Sequence, residues 1–257
     1  MLRVMSANVN GIRSAVKKGF LDYLSKADAD IVCVQELKAQ ESDLDGALRN
    51  PHGMHGIWDC AEKRGYSGVA LYSKKTPDAV QIGMGLPEFD CEGRFVRADF
   101  GDLSVISLYV PSGSSSDERQ QVKFAFLDAF FPILQDLQKE NRSFIICGDW
   151  NIAHQNIDLK NWRSNQKSSG FLPEEREWLG KVISSGWTDT FRTLYPETPG
   201  YTWWSNRGQA YAKDVGWRID YHINIGAIVP TARRAEIYKD EKFSDHAPLI
   251  VDYEWTI

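Results

Sequence analysis

Gly148-Asp149-Trp150-Asn151 sets a carboxylate and an amide two residues apart, directly after the apolar run Phe144-Ile145-Ile146-Cys147. Side chains alternate faces along an extended chain, so Asp149 and Asn151 project together from a strand end. A carboxylate there can activate water or hold a hard cation, and an amide can donate to a developing oxyanion. The same residues also read as a turn, since Gly, Asp and Asn dominate turns. The arrangement recurs, however. Val4-Met5-Ser6-Ala7 leads into Asn8-Val9-Asn10, and Ile31-Val32-Cys33-Val34 into Gln35-Glu36. Ser104 to Leu108 leads into Tyr109, Asp220 opens another apolar run, and Ser244-Asp245-His246 precedes Pro248-Leu249-Ile250-Val251. Independent turns would not share this chemistry, so the pattern favours one site built from several strand ends.

The elements that must position these residues are mostly strands. Strands are expected at 2–7, 30–35, 68–73, 94–99, 103–110, 143–147, 219–225 and 247–255. One helix is expected over about 14–27, with Phe20, Tyr23 and Leu24 on one face. A second runs from about Asp117 to Lys139, where Val122, Phe126, Phe130 and Ile133 keep helical spacing and Pro132 should kink or break it. A third starts at Pro173-Glu174-Glu175, with proline in the first turn and acids at the positive end, and stops before Gly186. Many strands with few helices suggest two packed sheets with helices outside.

The 257 residues contain no linker, repeat or low-complexity tract, so one domain over 1–257 is expected. No apolar run is long enough to cross a bilayer. Met1-Leu2-Arg3 runs straight into a strand with no visible secretory leader. Cys33, Cys60, Cys91 and Cys147 lack metal-site spacing, and Cys33 and Cys147 sit inside apolar strands as small core residues. A reducing cytoplasm is the expected compartment, with association to the nucleoid if the source is bacterial. The net charge of −5 opposes a generally basic nucleic-acid binder. Cations nevertheless flank the candidate site: Arg13, Lys17, Lys18, Lys63, Arg64, Lys160, Arg163, Lys167, Arg207, Lys213 and Arg218 are read as phosphate-positioning charges. Arg233, Arg234 and Lys239 are read as solvated surface. Of the nine tryptophans, Trp178 and Trp187 are assigned to the core.

With its motifs in order, the chain resembles the exonuclease III family of abasic-site (AP) endonucleases. The resemblance is carried by Asn8-Val9-Asn10-Gly11, Gln35-Glu36-Leu37-Lys38, Gly65-Tyr66-Ser67-Gly68, Tyr109-Val110-Pro111, Gly148-Asp149-Trp150-Asn151, Gly170-Phe171-Leu172-Pro173, Gly216-Trp217-Arg218-Ile219-Asp220-Tyr221 and Ser244-Asp245-His246. It implies an α/β fold, a four-layer sandwich of two packed mixed sheets flanked by helices. It also implies Mg²⁺-dependent hydrolysis of DNA phosphodiesters, with Mn²⁺ as a substitute. The implied partner is double-stranded DNA carrying abasic sites or blocked 3′ ends, bound by a monomer.

Glu36 is a hard oxygen ligand suited to Mg²⁺, with Asn8 and Asn10 beside it as neutral oxygens or amide donors. Some relatives carry Asp where Asn10 stands, which argues against a ligand there and favours a single-ion site over a two-ion one. Asp149 would activate or orient the attacking water and Asn151 would donate to the oxyanion. His246 would bind the scissile phosphate as imidazolium, and the resemblance supplies Asp220 as the carboxylate that keeps it charged. Tyr109 reads either as a phosphate or leaving-group contact or as a core aromatic. The expected ion-binding set is Asn8, Glu36, Asp149, Asn151, Asp245 and His246. Trp203, Trp217 and Ile219 match positions that enclose a flipped abasic sugar. Trp203 stands where relatives often have phenylalanine. Arg13, Tyr66 and Asn165 complete the expected substrate contacts, while Ser168 stands where some relatives have asparagine. Competing readings are hydrolysis of another phosphodiester by the same site, and a silent DNA-binding module. The second would require loss of Glu36, Asp149, Asn151, Asp220 or His246, and all are present.

Overall fold

The apolar runs become the inner strands of two six-stranded mixed sheets in the computed structural model, which describes residues 1–257. In chain order the strands are β1 (Leu2–Asn8), β2 (Ile31–Gln35), β3 (His55–Asp59), β4 (Val69–Ser73), β5 (Ala79–Ile82), β6 (Phe95–Phe100) and β7 (Leu103–Tyr109). They continue as β8 (Ser143–Asp149), β9 (Thr188–Asp189), β10 (Trp203–Trp204), β11 (Gly216–Trp217), β12 (Asp220–Ile225), β13 (Ala232–Ile237) and β14 (Leu249–Tyr253). One sheet is ordered β13-β14-β1-β2-β4-β3 and the other β5-β6-β7-β8-β12-β9, with β10 and β11 a separate ribbon. The helices are α1 (Ile12–Lys17), α2 (Phe20–Ala27), α3 (Gly46–Arg49), α4 (Pro87–Asp90), α5 (Asp117–Lys139), α6 (Pro173–Ser184) and α7 (Thr190–Leu194). No helix is long and apolar enough to cross a membrane.

Val4, Cys33 and Leu71 of the first sheet pack face to face on Val105, Ile145 and Cys147 of the second. The outer face of the first sheet carries Met5, Val32 and Val34 under Phe20 and Leu24 of α2. The outer face of the second carries Ile106 and Ile146 under Phe126 and Phe130 of α5 and Leu179 of α6. The result is the expected four-layer sandwich. Both faces of each sheet are covered, which is why these strands read as nearly continuous apolar runs. All four cysteines are free thiols, and Cys33 and Cys147 are buried. Trp187 is core, and Trp178 packs on the same cluster with its Nε1–H donated to the Leu127 carbonyl (3.0 Å).

Local expectations change in three places. The helix expected over 14–27 is two helices, split at Gly19, whose φ of +93° suits glycine. Pro132 does not break α5, which continues to Lys139. Pro132 and Asp128, whose carbonyl loses its partner, are both exposed, so water can take the missing donor's place. The weakly patterned strands escaped the sequence reading. β5 is an exposed edge, β13 carries a bulge, and β9, β10 and β11 have two residues each.

Register explains why one rim collects the polar residues. β1 and β2 are parallel, as are β7 and β8, so their C-terminal ends align: Asn8 pairs with Gln35 and Tyr109 with Asp149. β12 is antiparallel to β8, and Asp220 pairs with Asp149. β14 is antiparallel to β1, with Leu249 opposite Ser6, which brings the preceding Asp245-His246 to the same rim.

Candidate active site

The polar strand ends form turns, and they also converge at one rim. Asp149 Oδ1 accepts the Asn151 backbone N–H (2.8 Å), Asn8 Oδ1 accepts that of Asn10 (3.0 Å), and Ser244 Oγ accepts that of His246 (3.2 Å). Each side chain thus caps its own turn two residues on. The turns also hold strain. Asn10, Glu36, Lys38 and Asn151 all have φ between 45° and 53°. Asparagine tolerates this region, but Glu and Lys seldom adopt it, at a cost of order 1 kcal/mol each. Hydrogen bonds from Leu37 N to Gly68 O (3.0 Å) and Lys38 N to Ser67 O (2.8 Å) hold the chain there. Four of the chain's ten left-handed non-glycine residues thus lie at this rim, and strained backbone of this kind often accompanies functional sites.

Asn8 Nδ2 donates to both Glu36 Oε1 and Asp149 Oδ2, each at 2.9 Å, and so ties the two sheets' carboxylates together. Glu36, Asp149 and His246 place ligand atoms within 4.8 Å of one another. Two hard carboxylates beside an open cavity fit a hard divalent ion. The other expected ligands stand differently. Asn8 turns its amide nitrogen to the carboxylates. Asn151 donates Nδ2 to the Val110 carbonyl (2.9 Å) and more distantly to Asp149 (3.3 Å). Asp245 lies outside the converging group, its oxygens taken by Asn10 Nδ2 (2.9 Å), Ser244 Oγ (3.1 Å) and Trp203 Nε1 (3.0 Å).

His246 Nδ1 lies 2.8 Å from Asp220 Oδ2, and its Nε2 lies 3.8 Å from Asp149 Oδ2. Burial alone would discharge this imidazole, yet Asp220, with Asp149 and Asp245 nearby, pushes it up to about 10. Burial also raises the Asp149 carboxyl, against the His246 charge, and Asp220 and Glu36 add to the rise, to about 8. Glu36 moves the other way: against its burial, the charges of Lys38 and His246 hold it below the usual carboxylate range. The Tyr109 phenol is driven up by burial and then by Glu36 and Asp149, so it stays protonated.

A cavity of about 760 Å³ opens over these groups. Glu36, Tyr109, Asp149, Asn151 and His246 form its polar end, and Trp203, Trp217 and Ile219 its apolar wall. Trp203 and Trp217 face each other across the β10–β11 ribbon, with ring centroids 6.1 Å apart at 81°. Asn165 also lines the cavity. Arg13 and Tyr66 do not. Arg13 is exposed and lies 3.5 Å from Asp43. The Tyr66 hydroxyl accepts from Arg119 (2.6 Å) and Arg94 (3.0 Å), and Arg94 in turn donates to the Tyr109 carbonyl (2.9 Å). Tyr66 is therefore a brace behind Tyr109. Arg218 is not a phosphate contact: it is buried and paired with Asp158 (2.8 Å) and Asp189 (2.6 Å). That network carries the backbone of Trp217 and Ile219.

Two contributors were given no role in the sequence reading. Lys38 lies 2.8 Å from Glu36 Oε2, and its spacing of two from Glu36 could have marked it. Lys123 is fully buried, 2.6 Å from Glu175, and donates to the Asn151 carbonyl (2.7 Å). Nothing in the sequence separates Lys123 from the other polar residues of α5.

A family profile described as the endonuclease/exonuclease/phosphatase family matches residues 5–246. The chain is 38% identical to the exodeoxyribonuclease of Bacillus subtilis over 96% of its own length and 98% of that protein. It is 39% identical to the DNA repair nuclease APEX1 of Danio rerio, over 96% of the chain and 81% of that protein. Among solved structures, an AP endonuclease from Archaeoglobus fulgidus superposes with a TM-score of 0.91 at 27% identity, covering 99% of this chain and all of the other. Matched along its length in sequence and in fold, the chain belongs to the endonuclease/exonuclease/phosphatase family, on its exonuclease III-type AP endonuclease branch.

Proposed function

We propose that this protein is a Mg²⁺-dependent AP endonuclease of DNA repair, cutting the phosphodiester 5′ to an abasic site in duplex DNA to leave a 3′-hydroxyl. Mn²⁺ should substitute for Mg²⁺. The observation that carries the reading is one cavity lined both by the Glu36–Asp149–His246 cluster and by Trp203, Trp217 and Ile219 beside it. The wall suits a sugar that has lost its base, because such a nucleotide leaves the stack cheaply and offers an apolar face.

A phosphodiester repels anionic nucleophiles, so its hydrolysis needs an activated water, charge neutralisation and help for the leaving oxygen. His246, kept charged by Asp220, presents Nε2–H to a phosphate oxygen. Asp149, raised toward the working pH, is poised to take the proton of the attacking water. Asn151 holds Asp149, and its longer amide bond is the one a phosphate oxygen can take over. Tyr109, protonated and braced by Arg94, offers its O–H to the leaving oxygen. A divalent ion held at Glu36 and Asp149 would supply the positive charge that offsets the phosphate.

The deciding experiment is cleavage of an abasic duplex beside an intact one, with and without EDTA. Cleavage of the abasic strand that stops on chelation and returns with Mg²⁺ is expected. Full activity after exhaustive chelation, or equal cutting of both duplexes, would overturn the reading.

A further inference from the structure

The aromatic wall of the cavity and its acidic end are joined by one chain of hydrogen bonds. Trp203 donates Nε1–H to Asp245 Oδ2 at 3.0 Å, the only hydrogen bond that this oxygen receives. Asp245 Oδ1 accepts the Asn10 amide at 2.9 Å. The Asn10 amide oxygen accepts from the Lys38 ammonium, which lies 2.8 Å from Glu36 Oε2. The Asn10 backbone N–H bonds Asn8 Oδ1 (3.0 Å), which orients the amide that donates to Glu36 and Asp149. The backbone repeats the linkage: Trp203 and His246 form a β-bridge, Trp204 N donates to the Asp245 carbonyl (3.1 Å), and Ala247 N donates to the Thr202 carbonyl (2.7 Å). A phenylalanine at this position would keep a ring on the wall but leave a half-buried carboxylate oxygen without its donor.

We propose that Trp203 is a positioning residue for the ion-binding end of the site, acting through Asp245, Asn10 and Lys38 on Glu36. The proposal rests on the reading of Glu36 and Asp149 as the carboxylates of a divalent-ion site. Its consequence is that pocket and ion site are coupled: whatever displaces the Trp203 indole changes ion affinity, and the coupling is reciprocal.

The test uses Mn²⁺ binding by calorimetry in the absence of DNA, on the full chain and on Trp203→Phe, Asp245→Asn and the double variant, with melting temperatures alongside. Residues that orient metal ligands typically change metal affinity by about 10–100-fold, so Trp203→Phe should weaken Mn²⁺ by about tenfold. Asp245→Asn should do the same, and the double variant should be no worse than Asp245→Asn alone, because both act through one chain of contacts. At saturating Mn²⁺ the preference of Trp203→Phe for abasic over intact duplex should persist, since the ring remains. Unchanged Mn²⁺ affinity in Trp203→Phe, or additive losses in the double variant, would overturn the proposal alone. A lowered melting temperature with unchanged affinity would assign Trp203 to packing and overturn it too. A wild-type protein that binds no Mn²⁺ would overturn the underlying reading of the cluster, and the proposal with it, before any variant is made.

Discussion

His246 concentrates the electrostatics of the site in one ring. Its charge survives burial because Asp220 lies 2.8 Å away, and that charge in turn opposes the upward push that burial exerts on Asp149. A site that needs Asp149 ionised and His246 protonated loses activity as pH rises toward about 10, while an ion held at Asp149 draws the acid limb below the value of about 8 that burial gives the bare carboxyl. These limbs belong to the coupled group rather than to either residue. Asp220→Asn removes the anion that raises His246, so the alkaline limb of kcat/KM should move down by more than one pH unit. An alkaline limb that stays in place would take Asp220 out of this role. Glu36→Gln keeps the shape but removes a hard anionic ligand, so the Mg²⁺ concentration for half-maximal activity should rise at least about tenfold, with circular dichroism unchanged. An unchanged Mg²⁺ titration would make Glu36 structural.

Elements place these residues through contacts that tolerate little change. Gly148 directly precedes Asp149 on β8, and a Cβ there would lie 1.8 Å from the Leu108 carbonyl oxygen on β7. Gly148→Ala must therefore part the two strands whose ends carry Tyr109 and Asp149. A loss of at least about 3 kcal/mol is expected, read as a lower urea midpoint, and with it the abasic cleavage. A well-folded Gly148→Ala with normal turnover would show that the strands yield freely. Helices α5 and α6 hold the turn after β8 from below, through Lys123, Glu175 and the Asn151 carbonyl. Lys123→Met strands a buried carboxylate and should cost about 3–5 kcal/mol by chemical denaturation, and adding Glu175→Gln should recover part of it. Additive losses in that double variant would mean that the two residues act separately.

For the whole molecule, the packing of one sheet on the other fixes both stability and charge balance. His222 lies fully buried on β12, with Nδ1 3.0 Å from the Tyr253 hydroxyl on β14, and burial pushes it down to about 3. The unfolded chain protonates this histidine below its ordinary value of 6.5, while the folded protein refuses the proton until about 3. Between those values the unfolded state binds one proton more, so stability falls as pH falls, by about 1.4 kcal/mol per unit from this group. His222→Phe should flatten the pH dependence of the urea midpoint by that one proton between pH 6 and 4, whatever it does to stability at pH 7. An unchanged slope would mean that water or a neighbour charges His222 in the fold. The net charge of −5 sits beside a cavity that carries Lys167 and Asn165 on its rim, so the sum over the chain does not describe the surface that meets a phosphate.

Residue order alone establishes the inner strands, because residues covered on both faces must be apolar at every position, and that pattern needs no partner to be read. It also determined which residues are chemically competent: carboxylates, amides and a histidine at strand ends keep their identity wherever the chain folds. Edge strands such as β5 and two-residue strands such as β10 carry no such pattern, since their pairing comes from neighbours distant in sequence. Which competent residues meet depends on strand register. Parallel register aligns Tyr109 with Asp149, and antiparallel register brings Asp220 and His246 to them from the far end of the chain. Cations read alike beside the site include an exposed Arg13 and a buried Arg218, because burial depends on whether Asp158 and Asp189 arrive to pair the charge. Lys123 could not be read at all: its partner Glu175 lies on another helix, and a buried lysine is tolerated only where such a partner is brought to it by the fold.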